Sequence, residues 1–447
     1  MKRNHCKVAL FSLACILAAG SQAQQPAAYR LTLQDAIQKA LQANLSVLLA
    51  GTRVDEAEGA LARTKSAALL PRINAQTYAN VQNRNLRAFG ISAPGIPFPS
   101  VVGPFSNYDF RIYAQQNVID LASYRTMKAS EHAVDAGKLD EQDARDLIVR
   151  SIAALYLNAQ SAAARVNAAQ SRVTDSGTLL RLATDRHDAG RATGVDVLRA
   201  QVQLANDKQT LLVAQNQLKQ SLLSLSRNLG ISPGTQLELA EPLDYKPLAQ
   251  SEPATLLPAA LKARADYLSL AAQRQRLIEQ QRANRARFYP KLSLNGNIGE
   301  LGRSIGSVQT TGMIQGQIDF TIFDRDRSGE ADQLASRVRR IDDQIADLER
   351  GVDQDIRQAL LNLDSATEQV NVAKQGQELA QRELSLAQDR FDTGTANNVE
   401  VVTAQDQLAR ADENYIVAVS SHVDAKFALA RAMGNTEKNI LEFMGNP

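Results

Sequence analysis

Of 447 residues none is Trp, aromatics make up 5%, and only two are Cys. A chain so poor in large side chains is ill suited to the thick core of an ordinary globular domain. It suits long thin helices with small interfaces, and Ala, Gln and Leu dominate its helical parts. Both cysteines, Cys6 and Cys15, fall within residues 1–23, which read as a bacterial-type secretory signal peptide. Lys2, Arg3 and Lys7 form a basic start, Val8 to Ala19 an apolar core too short for a spanning helix, and Ser21-Gln22-Ala23 a cleavage site. A competing reading makes Cys15 a lipid-modified N-terminus, although Ser12-Leu13-Ala14 lacks the usual Leu three places upstream. Without residues 1–23 the chain has no thiol, which excludes disulfides and thiolate metal sites. It also has no charge excess: losing three basic residues takes the 50 Lys and Arg to 47, against 48 Asp and Glu, so +2 becomes about −1. An exported, nearly neutral chain has no electrostatic case for nucleic acid.

Other absences bound the chemistry. His132, His187 and His422 lie far apart at no ligand spacing and read as structural or solvent-facing. No Ser/His/Asp set, phosphate loop or metal cluster is visible. Catalytic, metal and cofactor-binding residues, and any cofactor, are therefore not expected, nor is enzymatic activity. Proline, too, is missing from Leu121 until Pro233.

What is present is periodicity. From Leu31 to about Leu69 apolar residues recur at helical spacing, with Thr32 and Asp35 as a capping pair, and Pro71 ends the run. The period then changes to two: over about 72–83, Ile73, Ala75, Thr77, Ala79 and Val81 alternate with Asn74, Gln76, Tyr78, Asn80 and Gln82, which predicts a strand. A Pro- and Gly-rich loop, Phe89 to Pro104, precedes a second alternation over about 107–118, whose polar face carries Asp109, Arg111, Gln115 and Asn117. Helical spacing then returns for nearly seventy residues, with Val166, Val173, Leu180 and His187 spaced by sevens. A Gly-containing tip at 188–194 interrupts it, a return helix runs to Gly230, and 231–255 reads as a linker.

The order then repeats. A helix from about Ala254 to Phe288 ends at Pro290. Strands follow over about 291–299, with Asn295 on the polar face, and 312–322, with Gln317 and Asp319. The next long helix has Leu334, Val338, Ile341, Ile345, Leu348, Val352 and Ile356 in steps of three and four. A tip follows at 392–398, and a helix returns to Met433. The offset is 204 residues: Asp120 matches Asp324, Asn158 Asn362, Gly190 Gly394, and Gly230 Gly434. This is an internal duplication, with 24–240 as the first repeat and 241–447 as the second.

Ten-residue strands with one apolar and one polar face match a tilted transmembrane β-strand. A soluble two-layer sheet with one wet face is the other reading, but these helices are too long to fold back over a sheet. Four strands cannot close, and an open edge in lipid leaves backbone groups unpaired. Two chains would give eight strands filled by side chains, three would give twelve around a lumen. Lumen candidates Asn74, Gln76, Asn80, Gln115, Asn295, Gln317 and Asp319 suit water and favour at least three chains. The fold class expected is mainly α with a membrane β-barrel portion.

In this order the residues resemble TolC-like outer-membrane efflux proteins. The resemblance rests on the duplicated helix–strand–strand–helix–tip–helix plan, on Pro71 and Pro290 at each passage from helix to strand, and on tips reading Gly-x5-acidic-hydrophobic. It implies a homotrimer with a twelve-stranded barrel in the outer membrane of a Gram-negative bacterium, continued by an α-helical tunnel across the periplasm. It also implies docking through the tips onto a periplasmic adaptor and an inner-membrane pump, so that the chain is a passive exit duct. Glu400, Asp196 and Phe391 become periplasmic gate candidates, and Gly190, Arg191, Gly194, Gly394 and Thr395 candidates for the tip and adaptor contact. The chain departs from the family at Ala396 and Thr403, where a basic and an acidic residue would help lock the aperture. A ring of Glu400 from three chains is the remaining expectation. A periplasmic coiled-coil scaffold or adaptor without a pore is the alternative.

Overall fold

A computed structural model describes residues 29–90, 99–232, 234–248 and 252–445. The signal-peptide and Cys15 readings and part of the loop before Pro104 lie outside these. The first repeat contains β1 (Tyr29–Leu31), α1 (Leu33–Ala43), α2 (Leu45–Leu69), β2 (Arg72–Asn85), β3 (Val101–Ile119), α3 (Leu121–Asp188), α4 (Gly194–Asn228) and β4 (Leu237–Leu239). The second contains α5 (Pro253–Ala263), α6 (Ala265–Ala286), β5 (Lys291–Gly302), β6 (Gln309–Asp319), α7 (Asp326–Thr393), α8 (Asn398–Met433) and a closing α9 (Thr436–Phe443). Helices α3 and α7 each have 68 residues, about 100 Å of continuous helix at 1.5 Å per residue. Asp120 starts α3 by accepting from the Ser123 amide, and Asp324, its equivalent, accepts from the Arg327 amide at the start of α7. No described helix is long and apolar enough to cross a membrane.

Strands β2, β3, β5 and β6 form one antiparallel sheet in that order, leaving β2 and β6 as edges. The register sorts the faces. Ile73, Ala114, Gly296 and Ile314 form one row, and Ala75, Ile112, Ile298 and Gly312 the next, so on each strand an isoleucine in one row adjoins a small residue in the other. The other face has the rows Arg72–Gln115–Asn295–Gln315 and Asn74–Tyr113–Asn297–Met313. The apolar face is bare in the single chain, with Ile314 84% exposed.

Several expected bounds move, each for a local reason. The first helix breaks at Asn44, which is extended and caps Ser46, and the helix from 254 breaks at Arg264, which is extended and paired to Asp266 and Asp355. β3 starts at Val101, inside the stretch read as a loop, because β2 runs on to Asn85 and supplies partners for Val101 and Val102. β6 stops at Asp319, opposite Lys291, where β5 begins; Phe320 to Phe323 have no neighbouring strand among the described residues, and Ile322 is 93% exposed. The linker holds β4, which pairs in parallel with β1.

The helical packing is thin, as the composition requires. In α3 the buried seam is Ala162, Ala169, Ser176 and Ala183, at heptad spacing. Val166, Val173 and Leu180, the larger residues of the same heptads, are only half-buried beside it. Small residues at the seam let helices approach closely. The main core sits at mid-height, where α1, α3, α4, α8 and α9 meet around Ile37, Ile152, Tyr156, Leu225, Phe427 and Ile440. Here the buried Lys426 donates to the carbonyls of Lys246 and Phe443, tying linker and α9 to α8. Burial pulls the Lys426 ammonium down to about 8, and the neighbouring His422, edge-on to Tyr245, to about 4.

Candidate functional site

The two tips lie side by side. In each the helix ends at a glycine with positive φ, +70° at Gly190 and +82° at Gly394. The Arg191 amide reaches the Arg186 carbonyl at 2.8 Å, and the Thr395 amide the Arg390 carbonyl at 2.9 Å, closing each helix with a six-residue hydrogen-bonded turn. A side chain with a Cβ would strain this backbone, so both glycines serve geometry.

The starts of the return helices differ. At the first tip Thr193 is the N-cap. Its amide and hydroxyl both donate to Asp196 Oδ2, at 3.0 and 2.7 Å, and its oxygen accepts from the Asp196 amide. The Asp196 carboxylate is consumed by this capping box, and the Thr193 hydroxyl holds its carboxyl below the usual range. At the second tip Asn397 accepts from both the Val399 and Glu400 amides, at 3.1 and 3.3 Å. Glu400 is thereby free of the cap, and its Oε1 takes Arg390 Nη1 at 2.6 Å. An ion pair does exist at this tip, made by Arg390 and not from position 396. The Ala396 methyl offers no charge, and Thr403 donates back to the Val399 carbonyl.

Cross-contacts hold the tips together. Phe391, 3% exposed, sits among Leu179, Ala183, Leu384 and Val401. The Arg186 guanidinium lies 4.5 Å above its ring and donates to the Asp392 carbonyl at 2.6 Å. Asn398 Nδ2 donates to the Asp196 carbonyl at 2.8 Å. Sequence reasoning missed Arg186, Arg390 and Asn398. The one available signal was that Arg186 and Arg390 are themselves 204 positions apart. His187, the counterpart of Phe391, is half-exposed beside Asp188. Thr395 caps the Arg390 carbonyl. Above the tips, α3 and α8 part around a cavity of about 660 Å³ lined by Arg172, Asp175, Asp412 and Tyr415. At the level of this cavity an Arg165–Glu413 ion pair bridges them, and higher still Arg150–Asp424 does, both at 2.7 Å.

On the sheet, Asn74, Gln76, Asn80, Gln115, Asn295, Gln317 and Asp319 all fall on the polar face by register. Gln317 Nε2 donates to Asp319 at 2.7 Å. The same face carries a cluster in which Asp109 accepts from Tyr78 and pairs with Arg111, both at 2.8 Å.

A bare apolar face, a polar face with charges, two unpaired edges and 100 Å helices running from the strand ends define a tube-forming membrane protein. The family model described as outer membrane efflux protein matches residues 36–231 and 256–435, and the chain belongs to that family. It is 24% identical over 413 residues to the pyoverdine export outer membrane protein OpmQ of Pseudomonas aeruginosa, covering 90% of this chain and 85% of that one. Among solved structures it is similar to the outer membrane protein VceC of Vibrio cholerae, with a TM-score of 0.71, 18% identity, and 90% and 96% of the two chains covered. It is also similar to the open state of the Neisseria gonorrhoeae MtrE outer membrane channel, with a TM-score of 0.72, 17% identity, and 91% and 90% covered. The chain is thus an outer-membrane efflux component of a Gram-negative cell, not a pore-free scaffold.

Proposed function

We propose that three copies of this chain close their sheets edge to edge into a twelve-stranded barrel, continued by their helices as a tunnel gated at the tips. The observation that carries this is the sheet register, which puts every amide and carboxylate lumen candidate on one face and leaves two edges open. An unpaired edge in lipid costs several kcal/mol per backbone group, so β6 of one copy must meet β2 of the next. Twelve strands leave a lumen.

In this reading the tips form the narrow periplasmic end. Glu400, held by Arg390, lines the aperture; Asp196, spent on its cap, shapes it; Phe391 seals the two hairpins of one protomer against each other. Arg191, Thr395 and the exposed stripe Val195, Leu198 and Val202 on α4 face a periplasmic adaptor, through which a separate inner-membrane pump supplies cargo and energy. OpmQ is named for pyoverdine export. For this chain we infer only a small-molecule cargo moved by diffusion, without a covalent step.

The test is a planar-bilayer recording on detergent-purified protein. Conducting channels are expected, and Glu400→Gln, which removes three carboxylates and leaves the three Arg390 charges unopposed, should shift selectivity toward anions. A soluble monomer without conductance would sink the duct, and unchanged selectivity in Glu400→Gln would remove Glu400 from the aperture.

A further inference from the structure

Where α2 gives way to β2, its last turns and the polar face of the sheet enclose a cavity of about 960 Å³. Its lining includes Arg63, Arg72, Lys291, Thr64, Gln115 and Asn117. Arg72 and Gln115 are paired neighbours in the sheet, and Lys291 begins the next strand. Three cations therefore converge on one space from three elements.

Little neutralises them. Among the described residues neither the Arg63 nor the Arg72 guanidinium has an ion-pair or hydrogen-bond partner, whereas most basic residues around the main core are paired. Lys291 lies 3.4 Å from Asp120, which is already engaged by the Ser123 amide and hydroxyl at 2.9 and 2.8 Å. Asp319 stands opposite Lys291 in the sheet and accepts from Gln317. Three cations thus face two carboxylates, both with other donors. The Gln115 amide also has no side-chain partner among the described residues. Guanidinium groups match carboxylate and phosphate oxygens in bidentate geometry, and amides add neutral donors.

We propose that this junction is an oxyanion-binding station, which holds the carboxylate or phosphate groups of passing cargo where the tunnel opens into the barrel. The proposal rests on the duct reading for its place on the path, but not for its chemistry. The cavity opens on the polar face, away from the apolar one, so a solute anion and not a lipid headgroup is the occupant. The cationic field is local, because screening at physiological salt reaches only about 8 Å. It is therefore independent of the Glu400–Arg390 pairs at the far end of the helices.

Inorganic phosphate is the probe, titrated calorimetrically into the detergent-solubilised full-length protein at low salt. Saturable binding is expected. It should weaken at least tenfold in the Arg63→Gln/Arg72→Gln/Lys291→Gln variant and survive in Arg63→Lys/Arg72→Lys. Arg63 and Arg72 are exposed and Lys291 is half-buried with a single 3.4 Å ion pair, so circular dichroism should show unchanged helix content. Absence of phosphate binding, or equal binding by the triple Gln variant, overturns the site. Bilayer recordings separate the two ideas: binding without conductance keeps the station and sinks the duct, and conductance without binding does the reverse.

Discussion

The first and second tips descend from one sequence 204 positions apart, yet equivalent residues in them make different contacts. Arg186 crosses to the other hairpin, onto the Phe391 ring and the Asp392 carbonyl, whereas Arg390 stays within its own hairpin and pairs with Glu400. Gly194 has no side chain, but Asn398 at the matching position reaches the Asp196 carbonyl. The divergence of the acidic residues Asp196 and Glu400 traces to one N-cap substitution. Thr193 satisfies one amide and needs the carboxylate at the third helical position to complete the box, while Asn397 satisfies two amides alone. An acidic residue at the same place in the repeat is therefore a structural cap in one tip and an arginine's ion-pair partner in the other. The difference shows how equivalent residues of a duplicated hairpin can come to make different contacts.

The comparison breaks most visibly at the arginines. Arg186→Ala removes a charge-assisted hydrogen bond and a cation–π contact between hairpins, together worth about 1.4 kcal/mol, or about tenfold in the balance of open and closed tips. Open probability in planar bilayers should rise by about that factor. Arg390→Ala, which frees Glu400 without touching the other hairpin, should change it by less than about threefold, the scale of an exposed ion pair. Equal effects from the two variants would mean that the tips do not differ in the way their contacts imply.

Asn398→Ala tests the second cross-contact. One amide-to-carbonyl hydrogen bond contributes about 1 kcal/mol, so open probability should rise about fivefold. In the double variant with Arg186→Ala the two contacts hold the same pair of hairpins, and the effects should depart from simple multiplication. Strict multiplicativity would show that they act on separate motions.

Much of this architecture was legible in the sequence, because the two periods involved are simple. Alternation by two placed the polar set from Asn74 to Asp319 on one sheet face, and prolines 71 and 290 marked both passages from helix to strand. The heptads of α3 were only half legible: Val166, Val173 and Leu180 stood out by size, but the seam is Ala162, Ala169, Ser176 and Ala183, because close helices bury their smallest residues. The breaks at Asn44 and Arg264 left no mark in the periodicity, since a single extended residue resumes the same helical face. Least legible were the cross-tip contacts. Arg186 and Asn398 act on backbone carbonyls and a ring roughly two hundred positions away, and no local spacing encodes a contact between repeats.

The smallest effect separates the caps themselves. Thr193→Ala should cost about 1 kcal/mol of local stability at the start of α4, and Asn397→Ala about the same at the start of α8. Both are read as faster amide exchange over the first helical turn. Their pH dependence should differ. The Thr193 hydroxyl holds the Asp196 carboxyl below its usual 3.8, and the backbone amide and Arg199 add to this against opposing desolvation. A carboxyl depressed by folding contributes stability that is fully present above the unfolded value and is lost as pH falls through the lower folded value. The exchange difference between wild type and Thr193→Ala should therefore persist from pH 7 to about 4 and shrink at lower pH, as the protonated Asp196 no longer serves the cap. Asn397 carries no titrating group, so its difference from Asn397→Ala should stay constant over the same range. Parallel pH profiles for the two caps would show that Asp196 is not the internal partner of Thr193, and would leave its carboxylate available for the proposed aperture.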